Sequence, residues 1–335
     1  MMNHYIISLS RLGRDIHSKV YSLLNQPFNT KLIVKIYEKD RHKYYKKEKE
    51  ILDILNNKEN NTNNFIMYKQ IFYNQNMFRI PKEIKGDDLE FLFFDFLPNL
   101  SLEDYIIETK KEIKEIHAKY LCYKLLMIIK NLKENNISHN NINISNIFFD
   151  DNFNPKLIHF SEANIINKIK NKNLINYDLY KLGETLAKIV SLGKLETIIY
   201  NKKENVFKIK LFNQSKFVEE SFLWKQLKND NINISDKFID FFHLIIYAKK
   251  SNDLLEIDEI MKNEWLSKIC NDLEIHQKNF ENDFKIMNKT IRKIRNEENK
   301  FEINIKVNDI INLDNKEDDY HLYNNNIQQM LQMQQ

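Results

Sequence analysis

Glycine, proline and cysteine are all scarce in this chain of 335 residues, which has four glycines, four prolines and two cysteines. Average usage of about 7% glycine would give several times more. Asn, Ile and Lys are abundant instead. Asn-rich runs such as residues 60–64 are expected to be loops. Because glycine lets a backbone approach phosphates closely, its scarcity disfavours a glycine-rich phosphate-binding loop.

The chain also has few features of secreted, membrane or nucleic-acid-binding proteins. Its two cysteines, Cys122 and Cys270, are too few for a disulfide framework and favour a reducing compartment. It has no apolar run of about 18 residues and no charged-then-apolar leader. The formal charge of +4 is spread along the chain, which argues against a nucleic-acid partner. We expect a soluble, cytoplasmic protein with no membrane partner.

Hydrophobic residues make up 42% of the chain and aromatic residues 12%, which is enough to form a buried core. Residues 5–37 alternate apolar and polar, which predicts a short antiparallel sheet. Residues 43–55 predict a helix because one face holds residues spaced at i, i+3, i+4 and i+7, namely Glu48, Ile51, Leu52 and Leu55. Residues 78–84 and 89–97 flank a turn and predict a hairpin.

Helical patterns dominate the remainder of the chain. Ser101 and Asp104 predict a capped helix start, and residues 115–133 a strongly apolar helix. Three further helices are predicted at residues 178–192, 235–248 and 256–269. Residues 269–335 predict an extension that is partly helical, with a strand at 301–307 and a disordered end.

Residues 139–161 have the spacing of a protein-kinase catalytic loop followed by its metal-binding motif. The family patterns are H-R-D-x-x-x-x-N and D-F-G. Here the first is matched by His139, Asn140, Asn141 and Asn146, and the second by His159, Phe160 and Ser161. The chain thus resembles the eukaryotic-type Ser/Thr protein kinases over roughly residues 5–268, as a degenerate member, a pseudokinase.

The resemblance implies an α+β, two-lobed protein-kinase-like fold. Residues 1–97 would form an N-lobe of small antiparallel sheet with one helix, and residues 98–268 a larger, mainly helical C-lobe. Residues 269–335 would be a C-terminal extension.

The resemblance also assigns nucleotide-binding positions. Lys35 matches the lysine that holds the phosphates, and Glu48 matches the helix glutamate that pairs with it. The other positions are Gly13 and Val20 around the phosphate-covering loop, Phe94, Asp95 and Leu97 at the gatekeeper and hinge, and Asn146, a residual metal ligand. Only Gly13 matches the loop's glycines, and Asp15 would repel phosphates.

The family's charged catalytic groups are replaced. Asn141 stands in place of the general base, Asn143 in place of a lysine that faces the γ-phosphate, and His159 in place of the aspartate that binds Mg²⁺. Glu162 is the strongest candidate for a substitute ligand, whereas Asp150 and Asp151 fit a turn. Among the positions that shape the site, Asp178 matches the aspartate that fixes the catalytic-loop backbone.

We therefore expect no intact catalytic residue and no bound metal. Residues 162–177 are too few for a normal substrate-docking segment, and Leu254 replaces the arginine that pairs with it. The resemblance implies a binding or allosteric module for another protein; ATP could bind weakly or without metal, and Mg²⁺ is not expected. The alternatives are an active but unorthodox protein kinase, a small-molecule phosphotransferase of related fold, or a decaying gene copy.

Overall fold

The computed structural model gives an α+β fold in which helices predominate and the sheets are small. It divides into two units, Met1–Asn288 and Lys289–Gln335, and the candidate site lies in the first. The structure describes residues 4–14, 17–26, 30–56, 68–69, 78–79, 84, 88–109, 113–166, 174–201, 203–204, 206–212, 214–230, 232, 234–250 and 255–313. Among these residues, no helix is both long enough and apolar enough to cross a bilayer.

A six-stranded sheet forms the first part of the larger unit. Its strands are β1 (His4–Arg14), β2 (Lys19–Gln26), β3 (Thr30–Tyr37), β4 (Tyr68–Lys69), β5 (Phe78–Arg79) and β6 (Glu90–Asp95). They lie in the order β4-β6-β3-β2-β1-β5, and all neighbours are antiparallel except β1 and β5. The predicted sheet is confirmed as β1-β2-β3. The predicted hairpin is wrong, because β5 pairs with β1 while β6 pairs with β3 and β4.

The two faces of this sheet differ because side chains alternate along each strand. One face holds a buried apolar cluster: Tyr21, Leu32, Val34, Ile36, Ile84, Leu89, Phe91 and Phe93. The other face carries Lys35, Tyr37 and Phe94, which are also buried. Helix α1 (His42–Asn56) packs on β6, and its buried residues are the four predicted ones, so that prediction is confirmed.

Helices and short hairpins build the part that follows the sheet. Its first elements are α2 (Leu102–Thr109), α3 (Glu115–Glu134), β7 (Ile137–Ser138), β8 (Ile147–Phe149), β9 (Pro155–Leu157), β10 (Asn164–Ile165) and α4 (Leu174–Val190). The capping box before α2 is present: Ser101 N and Asp104 Oδ2 lie 2.9 Å apart, and Asp104 N and Ser101 Oγ 3.1 Å apart. Asp150 holds the β8–β9 turn by accepting from the backbone N–H of Asn154 over 2.8 Å.

The sequence did not predict the three-stranded sheet that follows α4. Its strands are β11 (Leu195–Asn201), β12 (Val206–Leu211) and β13 (Val218–Glu219), all antiparallel. Buried and half-buried residues alternate strictly along β12, and this period-two pattern in the sequence is the one that indicates a strand. The remaining helices are α5 (Glu220–Asn229), α6 (Asp236–Ile246), α7 (Ile257–Met261) and α8 (Leu273–Leu313).

Three predictions for the helical part need correction. Helix α4 begins at Leu174, four residues before the predicted start. Helix α7 ends at Met261, and Trp265 lies in the turns that follow, where its indole N–H donates to Glu115 Oε1 over 2.7 Å. The strand predicted at residues 301–307 is wrong, since α8 covers this stretch. The predicted disordered end, from residue 314 onwards, lies outside the described residues.

Candidate functional site

A buried ion pair joins β3 to α1. Lys35 Nζ lies 2.7 Å from Glu48 Oε1 and 3.1 Å from Oε2, and both side chains are at most 5% exposed. The predicted contact between these two residues is therefore present. Lys35 reaches Glu48 because it lies on the face of the sheet that α1 covers, and Glu48 lies on the buried face of α1.

Two further donors use the same carboxylate. The Tyr37 hydroxyl donates to Glu48 Oε2, and the backbone N–H of Phe160 donates to Oε1 over 3.1 Å. Sequence reasoning missed Tyr37, although it lies two residues after Lys35 and thus on the same face of β3. Glu48 consequently joins two chain segments, the C-terminal end of β3 and the segment around residue 160.

Asp178, on α4, holds the backbone of residues 138–140. It accepts from the backbone N–H groups of His139 and Asn140 over 2.9 and 2.7 Å, and from Ser138 Oγ over 2.9 Å. Burial raises the pKa of Asp178 to about 6, while these hydrogen bonds act in the opposite direction. The predicted contact of Asp178 with this loop is present.

His139 is a buried, neutral residue of the interior. Its Nε2 lies 3.0 Å from the carbonyl oxygen of Ile158, and its ring packs edge-on against Phe160 with centroids 4.8 Å apart. Burial lowers the pKa of His139 to about 3, so the imidazole is uncharged at pH 7. It links the loop at residues 138–146 to the segment that carries His159.

Three asparagines shape the loop that follows His139. Asn146 Nδ2 donates to the backbone oxygen of Asn141 over 2.9 Å, and Asn143 Nδ2 donates to Asn141 Oδ1 over 2.6 Å. Asn143 Oδ1 in turn accepts from the backbone N–H of Ser145 over 2.9 Å. The three amides therefore form one local network, in which Asn141 is an acceptor and carries no charge.

His159 lies in the left-handed region, with φ 67° and ψ 72°. Asp, Asn and His are the side chains that tolerate this conformation best after glycine. The residues on either side are fixed, because the carbonyl of Ile158 contacts His139 and the N–H of Phe160 donates to Glu48. The backbone at position 159 is thus held between the ion pair and the loop.

The other predicted nucleotide-binding positions lie on the same sheet or directly after β6. Gly13 lies opposite Val20, and Val20 lies opposite Lys35, so these three are neighbours across β1, β2 and β3. Phe94 is buried on β6, and the Lys35 ammonium lies 5.8 Å from the centre of its ring. Asp95 ends β6, and the half-buried Leu97 follows it. Asp15 and Leu254 lie outside the described residues.

Glu162 interacts with Asn140 and Lys47. Its carbonyl oxygen accepts from Asn140 Nδ2 over 3.2 Å and from Lys47 Nζ over 3.4 Å. Its carboxylate also acts on Lys47, raising the pKa of that lysine against a larger lowering by burial. The prediction that Glu162 could serve as a substitute metal ligand has no support in these contacts.

The donor set does not fit a divalent cation. Proteins usually bind Mg²⁺ through at least one carboxylate, whereas these positions offer only neutral amides and an imidazole. Among the described residues, no group of three or more His, Cys, Asp or Glu side chains could hold a metal. Compared with known proteins, the chain matches no protein-family model and has no significant match among curated proteins.

Proposed function

We propose that this chain is a two-lobed, protein-kinase-like domain that has lost phosphoryl transfer and acts as a binding or allosteric module for another protein. The single observation that carries the proposal is the buried Lys35–Glu48 pair, tied through Phe160 to a loop that carries amides at residues 141 and 143. The ion pair of the family is thus present, whereas amides occupy positions 141 and 143, where the family has charged catalytic residues.

The arrangement of elements supports the two lobes. The six-stranded sheet with α1 would be the smaller lobe, and the helices from α2 to α7 the larger one. Glu48 contacts both parts, since Lys35 belongs to the first and Phe160 to the second. The hydrogen bonds of Asp178 to His139 and Asn140 support the identification of residues 139–146 as the catalytic-loop equivalent.

Loss of activity follows from acid–base and metal chemistry. General-base catalysis needs a group that accepts a proton from the substrate hydroxyl, and the amide of Asn141 cannot do so at neutral pH. Transfer of a phosphoryl group also needs Mg²⁺ across the phosphates, and His159 is a poor ligand for that ion. Either replacement alone would slow the reaction severely.

ATP is the ligand that the remaining positions would suit. Val20, Phe94, Asp95 and Leu97 would surround the adenine, and Lys35 would contact the phosphates, with Gly13 in the covering strand pair. Lys35 would orient the phosphates, while Glu48 keeps the lysine in place.

A thermal-shift titration of the full chain with ATP tests the proposal. Ligands that bind the native state raise the melting temperature with concentration. We expect either no shift or a shift that does not require Mg²⁺ or Mn²⁺, together with no transfer of phosphate from ATP to a peptide. A shift that needs the metal, accompanied by phosphate transfer, would support the alternative of an active kinase or small-molecule phosphotransferase.

A second test restores both carboxylates. The variant Asn141→Asp/His159→Asp is expected to gain metal binding but no peptide phosphorylation, because residues 162–177 are too few for a docking segment. The left-handed backbone at position 159 accepts aspartate, so the double variant should fold. Peptide phosphorylation by this variant would show that the short segment supports substrate binding.

A further inference from the structure

Three aromatic rings surround the ammonium group of Lys250. Its Nζ lies 4.2 Å from the ring centres of Tyr200 and Tyr247 and 5.3 Å from that of Phe207. Aromatic faces attract a cation within about 6 Å of the ring centre, and several faces around one ammonium group form an aromatic cage. We propose that the aromatic cage of Tyr200, Phe207 and Tyr247 binds the trimethylated lysine of a partner protein, which displaces Lys250.

The aromatic cage is assembled by the β11–β12 hairpin and the turn after α6. Tyr200 on β11 lies directly opposite Phe207 on β12, so the two rings share one face of the sheet. Tyr247 begins the 3₁₀ turn Tyr247–Lys250. The ring of Phe207 lies edge-on to that of Tyr247 with centroids 4.9 Å apart, and 5.2 Å from that of Tyr200. These contacts between rings do not involve Lys250, so we expect the cage to keep its shape when the lysine leaves.

The aromatic cage has a buried base and an accessible wall. Phe207 is 3% exposed, whereas Tyr247 is 42% exposed and Tyr200 is half-buried. Lys250 is also half-buried and ends its turn. Its side chain can therefore leave by rotation about its own bonds, while the strands stay in place. The cage is thus open to solvent on the side of Tyr247.

Lys250 itself indicates the class of ligand. An alkylammonium group that extends from a polypeptide fits between the three rings, so the matching ligand is a lysine side chain. An unmodified lysine of a partner has no advantage, because Lys250 carries the same group and is tethered beside the cage. Trimethylation keeps the charge but removes the strongly hydrated N–H groups. A trimethyllysine therefore loses less hydration on binding and contacts the rings over a larger area.

The exchange of one lysine for another leaves the charge in the cage unchanged. The neighbouring Lys249 has its ammonium 4.1 Å from the ring centre of Tyr180 and 5.5 Å from that of Tyr177. The rings of Tyr180 and Phe207 are 6.2 Å apart, so Lys249 already lies beside an occupied cage. An incoming ammonium replaces that of Lys250 and adds no repulsion at this point. The displaced ammonium moves into solvent, where water and salt screen it.

An NMR titration of the full chain with N-acetyl-trimethyllysine methylamide tests the proposal. In the wild type, Lys250 fills the cage most of the time, which raises the apparent Kd in proportion. Lys250→Ala removes this competitor, so the Kd should fall by about tenfold or more. Adding Tyr247→Leu to that variant keeps an apolar side chain but removes one ring face, and should raise the Kd by about tenfold.

Matched controls separate the cage from its surroundings. Lys249→Ala removes the adjacent lysine but leaves Lys250 in place, so the Kd should stay within about threefold of the wild-type value. Two analogues of the compound, one unmethylated and one with carbon in place of the ammonium nitrogen, should each bind Lys250→Ala about tenfold more weakly or worse. A melting curve of each variant reports folding, and Tyr200→Leu serves if Tyr247→Leu does not fold in this background.

Displacement in the wild type is measured by brief labelling with acetic anhydride and mass spectrometry. Saturation with the trimethyllysine compound should increase the acetylation of Lys250, because its ammonium moves into solvent. Acetylation of Lys249 should not change, since its ammonium lies on other rings. Unchanged labelling of Lys250 would overturn the proposal and make this lysine a permanent part of the fold.

The other results are equally decisive. A Kd that is the same in the wild type and in Lys250→Ala, or equal binding of the uncharged analogue, would overturn an ammonium site. Sedimentation of the wild type with phosphatidylcholine vesicles, without binding of the trimethyllysine compound, would identify a lipid headgroup as the ligand and overturn the partner protein. The aromatic cage shares no residue with the candidate nucleotide site, so none of these results bears on the loss of phosphoryl transfer.

Discussion

Glu48 Oε1 accepts the backbone N–H of Phe160 over 3.1 Å, although the two residues are 112 positions apart. The same oxygen lies 2.7 Å from the Lys35 ammonium. A single carboxylate on α1 thus connects the central strand of the first sheet with the segment that carries His159. Changes at Glu48 should therefore alter stability and the shape of the candidate site together.

Removing Glu48 should be strongly destabilising. Glu48→Ala leaves the Lys35 ammonium buried without its counter-charge, and breaking such a pair costs about 3–5 kcal/mol. Urea denaturation followed by circular dichroism measures this loss. The double variant Lys35→Met/Glu48→Ala should lose less than the sum of the two single variants, since the uncompensated charge is gone.

A matched exposed pair provides the control for that experiment. Lys39 and Asp88 lie 2.8 Å apart with both side chains mostly exposed. Asp88→Ala should leave the denaturation midpoint unchanged, because water screens the lost interaction. Equal effects of Glu48→Ala and Asp88→Ala would contradict the buried character of the first pair.

Asp178 should make stability depend on pH between about 4 and 6. Its folded pKa of about 6 exceeds the ordinary value of 3.8, so the native state binds the proton more tightly than the unfolded state. The stability that this carboxyl contributes is therefore greatest below pH 4 and falls as pH rises, by about 3 kcal/mol in total.

The comparison with Asp178→Asn isolates this titration. Because asparagine does not titrate, the difference in unfolding free energy between wild type and variant should shrink as pH rises from 4 to 6 and stay constant above 6.5. Urea denaturation of both proteins at four pH values measures it. A difference that does not vary with pH would place the folded pKa near its ordinary value.

The first turns of α8 should be a major source of stability. Phe280 is fully buried, stacks on Phe284 with centroids 3.9 Å apart, and contacts Tyr120 and Phe149. Phe280→Ala should cost about 3–5 kcal/mol in denaturation experiments, because it leaves a cavity among aromatic rings. Ile275→Ala, at a position 58% exposed on the same helix, should change stability by less than about 0.5 kcal/mol.

His243 should titrate above its ordinary pKa. Its Nε2 lies 2.7 Å from Glu220 Oε1, which also accepts from Trp224, and Asp240 adds a second negative charge. The hydrogen bond to Glu220 raises the pKa of His243, so the stability it contributes is present below about pH 6.5 and is lost as pH rises through the folded value.

An NMR titration of the His243 ring protons measures that pKa, and His243→Gln identifies the resonance. Glu220→Gln should bring the pKa of His243 down, since it removes the charge on the hydrogen-bond acceptor. A pKa that is the same in the wild type and in Glu220→Gln would contradict the contact.

The local parts of the fold and site were predictable from sequence. The buried face of α1 followed from spacing, which placed Glu48 among Ile51, Leu52 and Leu55. The capping box at Ser101 and the turn at Asp150 followed from side-chain chemistry over three or four residues. Each of these features depends on interactions between near neighbours, so the information is present in a short window.

The missed features depend on partners far along the chain. Strand β5 pairs with β1 instead of β6, a choice between two sheet edges that local pattern does not encode. Tyr37 and Phe160 join Lys35 at Glu48 only because three segments meet there. The short β11–β13 sheet is not predicted, because helical periodicity dominates the sequence on both sides of it.

Two of the four glycines lie where another side chain would not fit. A Cβ at Gly183 on α4 would come within 2.6 Å of Ile246 Cγ2 on α6, and Gly193 has φ +73° at the turn after α4. A saturation mutagenesis library should therefore be depleted at these two sites even for alanine. In a chain so poor in glycine and so rich in Asn, Ile and Lys, these two positions therefore keep glycine for a steric reason.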